Sequence, residues 1–399
     1  MDNNISLNLA GVPRELKSLL ELVKKNNEQN VLLNSESLFY DLDWNLFLDL
    51  ALHHRIFPIA YPKMKLVKEG LIPDYVMKTM QLHYRQNTFR MLQLSAEMEQ
   101  VSSLFSANHI KLLVLKGPVL ATDLYGDLSK RTCGDLDVLI PIDDLERTDA
   151  LLTKEGYVKD DYIHTVLGDW KWRHHHVTYF HETKPIKLEI HWRLNPGPGN
   201  EPMFADLWER KRQSVLTKNP VYYLGREDLF TFLVSHGARH GWSRLRWLTD
   251  IAQMLNQDMD WQVLKKTFGK YSSVDVGGQA LILASELLNP NLPEAARALV
   301  SASKSKKLAQ EAIFYLERMA NLHTDPVPDD VAEYHKQHLF SLMSKKQKAL
   351  FILSFLYPYP EDAETLPLPK QLHFLYFPLR PILWAWRKTR KQVMARRIS

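Results

Sequence analysis

The chain has 399 residues, of which 45% are hydrophobic, 24% charged and 11% aromatic, with a formal net charge of +5. That is room for two or three domains with cores of their own, and it excludes a chain dominated by disorder. A single cysteine, Cys133, excludes an intrachain disulfide. There is no run of about 18 apolar residues to span a membrane and no signal-like start, so the cytoplasm is the expected location.

Residues 1–105 read as an N-terminal helical region. DLDWNLFLDLALHHRIFPIAY opens with acids suited to a first helical turn and clusters Trp44, Leu46, Leu48 and Leu52 within one or two turns. After the turn signal Ile72-Pro73-Asp74, a second helical stretch runs from Tyr75 towards Phe105. Met77, Met80, Leu82, Phe89, Leu92, Leu94 and Met98 are expected to be its core positions.

Residues 106–200 change character. Ile110 to Leu115 is a short β-prone run, followed by a helix through Val119 to Leu124 and a polar turn, GDLSKRTCG. A second strand, Asp135 to Ile140, ends at Pro141, and a helix follows from Asp143 to Glu155. Two further strands, His176 to His181 and Ile186 to Trp192, precede the breaker cluster NPGPGNEP. Residues 201–360 form a C-terminal helical domain, with Asp228 expected to cap a helix reaching about Leu255. Residues 361–399 form an aromatic and basic tail, which carries Arg387, Lys388, Arg390, Lys391, Arg396 and Arg397. Its Trp and Leu residues are expected to pack while its charges face water. Pro378 and Pro381 are expected to interrupt any long amphipathic helix, and contact with a membrane surface is the weaker expectation. The fold class is α+β, with helices before and after a sheet-bearing core.

The chemistry centres on Gly134-Asp135-Leu136-Asp137-Val138-Leu139-Ile140. Alternation along a strand puts Asp135 and Asp137 on one face, roughly 7 Å apart at Cα. Paired carboxylates repel unless a cation lies between them, and Mg²⁺ suits oxygen ligands while leaving room for substrate phosphates. In PIKLEIHW the same alternation sets Lys187, Glu189 and His191 opposite Ile186, Leu188 and Ile190, so Glu189 is the candidate third acid. Lys116-Gly117 closes the preceding strand, where glycine admits a close backbone approach, a helix start offers N–H groups to phosphate, and lysine adds a point charge. Arg131 is a candidate to hold phosphate or to balance the acids. His236, Arg239, His240 and Arg246 form a basic face toward the nucleotide, with an Arg246–Asp250 pair as the plainer alternative for Arg246. His236 and His240 have zinc-helix spacing, but Gly237 stands where a zinc protease carries glutamate. His174-His175-His176 reads as a polar loop, and Cys133 has no base partner to make it a nucleophile.

The stretch from Leu112 to Leu152 resembles the uncharacterised nucleotidyltransferase family of the DNA polymerase β superfamily. The matching pieces are Leu115-Lys116-Gly117, Tyr125-Gly126-Asp127, Arg131, Asp135-Leu136-Asp137, Glu189-Ile190-His191-Trp192 and HGARHGWSRLRWLTDIAQML from His236. The chain departs from the wider superfamily where Gly-Ser usually opens the first helix, here Gly117-Pro118. The resemblance implies a polymerase β-like mixed sheet with flanking helices. It implies transfer of a nucleoside monophosphate from an NTP, such as ATP, to a hydroxyl or phosphate acceptor on a small molecule or peptide, with release of pyrophosphate. Asp135, Asp137 and Glu189 would hold two Mg²⁺ ions, with Glu189 nearer the acceptor and helping to take its proton. Lys116, Gly117, Arg131, Arg239 and His240 would meet the nucleotide. A protein with this fold but without the chemistry, serving a partner, is the alternative; nucleic acid is not the expected partner, although the basic tail from Arg387 to Ser399 leaves a nucleic-acid enzyme as a third reading.

Overall fold

A computed structural model describes residues 6–271 and 274–398, with side chains described as far as residue 390. Ser399 therefore lies outside the described residues, as do the side chains of Lys391, Arg396 and Arg397 in the basic tail. The chain is α+β: a seven-stranded mixed sheet set among helices.

The strands are β1 (Leu113–Val114), β2 (Leu136–Leu139), β3 (Tyr157–Lys159), β4 (His176–His181), β5 (Lys187–His191), β6 (Arg212–Gln213) and β7 (Tyr222–Tyr223). Their order is β3-β4-β5-β2-β1-β7-β6. β2 runs parallel to β5 and antiparallel to β1, and β5 runs antiparallel to β4. The strand carrying Glu189 therefore has a neighbour on each side. Period-two alternation does the local work: Leu136, Val138, Leu188 and Ile190 are buried on one face, and the polar residues between them share the other.

Helices cover the apolar face, and one continuous core runs from Leu7 to Leu342. The longest described helix, Asp74–Ala107, buries Val76, Met80, Asn87, Met91, Leu94, Met98, Val101 and Phe105, close to an i, i+3, i+4 stripe. Leu82, Phe89 and Leu92 were expected in that core but are 54%, 63% and 54% exposed. The reason is angular, since two residues along a helix is more than half a turn, so Leu82 faces away from Met80. The same helix reaches the sheet through polar groups. Asn87 donates to the carbonyls of Ser129 (2.9 Å) and Arg131 (3.3 Å), and Arg90 donates to the carbonyls of Gly134 (2.9 Å) and Pro185. Those bonds fix the loops that enter β2 and β5.

The helix expected to run from Asp228 to Leu255 is two helices, Arg226–Arg239 and Leu245–Met254. Gly241 and Trp242 between them have φ of +59° and +56°. Glycine tolerates that conformation, and a Cβ at Gly241 would lie 2.4 Å from the Tyr315 ring. Asp228 caps nothing: it accepts from Arg210 at 2.8 and 3.1 Å, and the N-cap is Gly225. At the other end of the chain, Tyr376–Ile398 is one helix despite Pro378 and Pro381. Pro378 falls in the first turn, where a backbone N–H has no helical partner to lose, whereas Pro381 lies inside the helix and gives up one bond without ending it. Leu383 packs as expected, but Trp384 and Trp386 are more than half exposed. Among the described residues no helix is long and apolar enough to cross a membrane.

Candidate active site

Parallel pairing of β2 with β5 sets Asp137 directly beside Glu189. Asp137 is 1% exposed, and its Oδ1 receives Lys116 Nζ at 2.9 Å and His191 Nε2 at 3.3 Å. His191 Nε2 also lies 3.6 Å from Glu189 Oε2, and one ligand-type atom from each of Asp137, Glu189 and His191 falls within 4.8 Å of the others. Asp135 sits just before β2 and joins this group at one remove. Lys187 Nζ bridges it, 3.8 Å from Asp135 Oδ2 and 2.6 Å from Glu189 Oε1. The strands thus bring Asp137, Glu189, His191 and Lys116 into immediate contact, with Asp135 on the rim.

The electrostatics split the acids. Burial pushes the Asp135 pKa up, and the neighbouring Asp137 charge adds to that. Burial acts the same way on Asp137, but Lys116 and the His191 hydrogen bond outweigh it and hold that carboxyl below its usual range. Glu189 is held down likewise, against burial, by the His191 hydrogen bond and by His176. Burial opposes charge on His191, yet its bonds to Asp137 and Glu189 raise its pKa. Burial opposes charge on Lys116 too, and Asp137 and Asp135 reverse the sign. Three carboxylates therefore stand among two ammonium groups and an imidazole that readily takes a proton. Even so, Asp137 Oδ2 and His191 Nδ1 are buried without a hydrogen-bond partner among the described residues.

Residues 40–289, well over half the chain, match the model of a family described as uncharacterised nucleotidyltransferase. The chain belongs to that family. No match emerges among curated proteins or among solved structures.

The family stretch holds groups with different duties. Gly117, at φ +90°, caps the helix Pro118–Tyr125 with Pro118 at its first position, a backbone that only glycine adopts at ease. Arg131, expected at a phosphate or among the acids, is 2% exposed and grips Asp250 instead, with Nε 3.0 Å from Oδ1 and Nη2 2.9 Å from Oδ2. Tyr125 Oη donates to the same carboxylate at 2.8 Å, and Asp127 caps the turn before Arg131 by accepting from Ser129 N–H at 2.8 Å. Because Asp250 is taken, Arg246 does not pair with it; Arg246 Nη1 donates to the Thr132 carbonyl at 2.7 Å.

Arg239 and His240 line the wall of a cavity of about 730 Å³ also lined by Arg193, Trp172, Phe351 and Tyr359, near enough to the acid face for Lys116 to act on His240 and Arg239 on His175. Arg193 is two residues beyond His191, so the cavity opens where the Glu189 strand ends. Burial lowers the Arg239 pKa to about 10, and its Nε has no partner among the described residues. His236 and His240 pack on Trp247, with ring centroids 5.5 and 5.1 Å away, and burial holds both neutral. The structure also draws in His175, read from the sequence as part of a polar loop, and His176, read as the junction of that loop with a strand. His176 opens β4 directly opposite His191. The pairing of two antiparallel strands was the signal, and neither strand alone carries it.

Proposed function

We propose that this chain is a Mg²⁺-dependent nucleotidyltransferase with a polymerase β-like core, passing a nucleoside monophosphate from an NTP to a hydroxyl or phosphate acceptor with release of pyrophosphate. The observation that carries the reading is the side-by-side register of Asp137 and Glu189 on parallel strands, with Asp135 at the mouth of the same face. The donor set fits a hard divalent ion: carboxylate oxygens dominate, and the buried Asp137 Oδ2 is free of any protein partner among the described residues. Asp135, Asp137 and Glu189 would hold the ions, which supply charge neutralisation of the triphosphate and a lowered pKa for the attacking group. Lys116 contributes a positive charge next to Asp137 for the phosphates. Gly117 lets the backbone pass from β1 into a helix without a side chain in the way. The acceptor occupies the cavity at the end of β5, where Arg193 and Arg239 face the single carboxylate of Glu201 among the lining residues and favour an acceptor that bears negative charge.

A second reading rests on one observation: Lys116, Lys187 and His191 already balance the three carboxylates, as they would in a fold kept for binding. Incubating the protein with each labelled NTP, Mg²⁺ and a cell extract separates the two. Label transfer that falls by more than about 100-fold in Asp137→Asn supports the enzyme, since losing a ligand costs no less than losing a group that merely orients one. Transfer that survives the substitution removes the mechanism. No transfer and no metal-dependent nucleotide binding favours the binding protein.

A further inference from the structure

We infer that His175, His176 and His191 form a second cation site, beside the carboxylates, for a nitrogen-preferring divalent ion of the Zn²⁺ class. This goes beyond nucleotidyl transfer and does not depend on it.

The three imidazoles meet because of strand register. His176 and His191 are opposite partners across β4 and β5, with ring centroids 4.9 Å apart. His175 stands against both, at 4.4 and 5.3 Å, and its carbonyl accepts the Trp192 N–H at 3.0 Å, which ties it to the end of β5. One ring nitrogen from each lies within 4.8 Å of the others. Tetrahedral zinc with Zn–N of about 2.0–2.1 Å needs nitrogens about 3.3 Å apart, so ring rotation closes the gap without moving a strand. One pair is there already, with His175 Nε2 and His176 Nδ1 at 3.2 Å. Glu189 Oε2 lies on the Nε2 side of the rings, 3.9 Å from His176 Nε2 and 3.6 Å from His191 Nε2, where it orients the imidazoles and leaves their Nδ1 atoms for the ion.

Packing alone is a poor account of the cluster. His191 is 3% exposed and its Nδ1 is buried with no hydrogen-bond partner among the described residues. Core imidazoles normally satisfy both nitrogens, because a buried, unpaired polar atom is destabilising. A nitrogen-rich donor set also selects its ion: imidazole suits Zn²⁺ and Co²⁺, whereas Mg²⁺ prefers oxygen and keeps its water. Two neighbouring sites of different hardness would thus meet at His191, which offers Nδ1 to this one while its Nε2 bonds the carboxylate Asp137.

The experiment is titration of the chelator-treated full chain with Co²⁺, without nucleotide. One equivalent with a visible absorption band of four- or five-coordinate intensity is expected, persisting in a large excess of Mg²⁺ and displaced by Zn²⁺. His175→Ala and His176→Ala each weaken it by at least ~10-fold. The exposed His164→Ala leaves it unchanged. Circular dichroism checks folding, and His175→Ala carries the test should His176→Ala fail to fold. A band that is absent, is erased by Mg²⁺, or is equally strong in both histidine variants overturns the site. Mg²⁺-dependent label transfer without the Co²⁺ band would sink this site and spare the transferase reading; the band without label transfer would do the reverse.

Discussion

Two buried charge systems lie close together in this fold, and they are built on opposite plans. In the first, Asp250 receives two guanidinium N–H groups from Arg131 and the hydroxyl of Tyr125, and its two oxygens are both engaged. In the second, a single oxygen of Asp137 is approached by both Lys116 and His191 while its other oxygen has no partner among the described residues. Completed networks hold a fold together; crowded ones with open acceptors are arranged for something that arrives later. The difference matters here because Tyr125 and Arg131 come from the same family stretch as the D-x-D acids. A shared motif does not imply a shared task.

The sharpest way to break that comparison is to open the completed network. Asp250→Ala leaves the Arg131 guanidinium buried and unpaired, and loss of one partner from such a pair costs about 3–5 kcal/mol. Urea unfolding should show a loss of that size, read as the midpoint shift multiplied by an unchanged slope; a loss below about 1 kcal/mol would mean the pair is not the structural element described. Tyr125→Phe asks for less. It removes the hydroxyl's bond to Asp250, which keeps its arginine, and its weaker contact with Thr249, so the expected cost is about 1.5–3 kcal/mol. Label transfer by the folded Tyr125→Phe protein should match wild type, because that hydroxyl touches the structural pair and not the acids.

Much of this was legible from residue order. Alternation in GDLDVLI and PIKLEIHW correctly separated Leu136, Val138, Leu188 and Ile190 from the acids, because period two is a property of the strand itself. Strand register is not, and register is what pairs Asp137 with Glu189 and His176 with His191. The fate of Arg131 was hidden for a related reason: its partner, Asp250, is 119 residues away, and no local pattern distinguishes a guanidinium that meets phosphate from one that meets a carboxylate. Phe89 and Leu92 misled because a helix as long as Asp74–Ala107 carries apolar residues off its buried stripe, which a count of apolar positions does not separate by angle.

The smallest expected effect is the most discriminating, because its sign reverses within the crowded face. Burial and Asp137 raise the Asp135 pKa, so the folded chain holds that proton more tightly than the unfolded one. Asp135 therefore contributes stability below the unfolded carboxylate pKa and loses it as pH rises. Asp135→Asn should then be no less stable than wild type near neutral pH, with a gain of at most about 1 kcal/mol. The gain should vanish as pH falls to about 4, where an unfolded aspartate takes its proton. Asp137, held low by Lys116 and His191 against its burial, is the mirror image. Its charge stabilises the fold above the unfolded pKa, so Asp137→Asn should be less stable at neutral pH, with a deficit that holds down to about pH 4 and shrinks only below it. Urea midpoints for the two variants from about pH 7, through the unfolded aspartate value near 4, down to about pH 2 decide the matter. Curves that approach wild type from opposite sides mean that one carboxylate of the pair is seated and the other strained. Curves that lie on the same side mean that the face is an ordinary ion-pair network, and the contrast with Arg131–Asp250 fails.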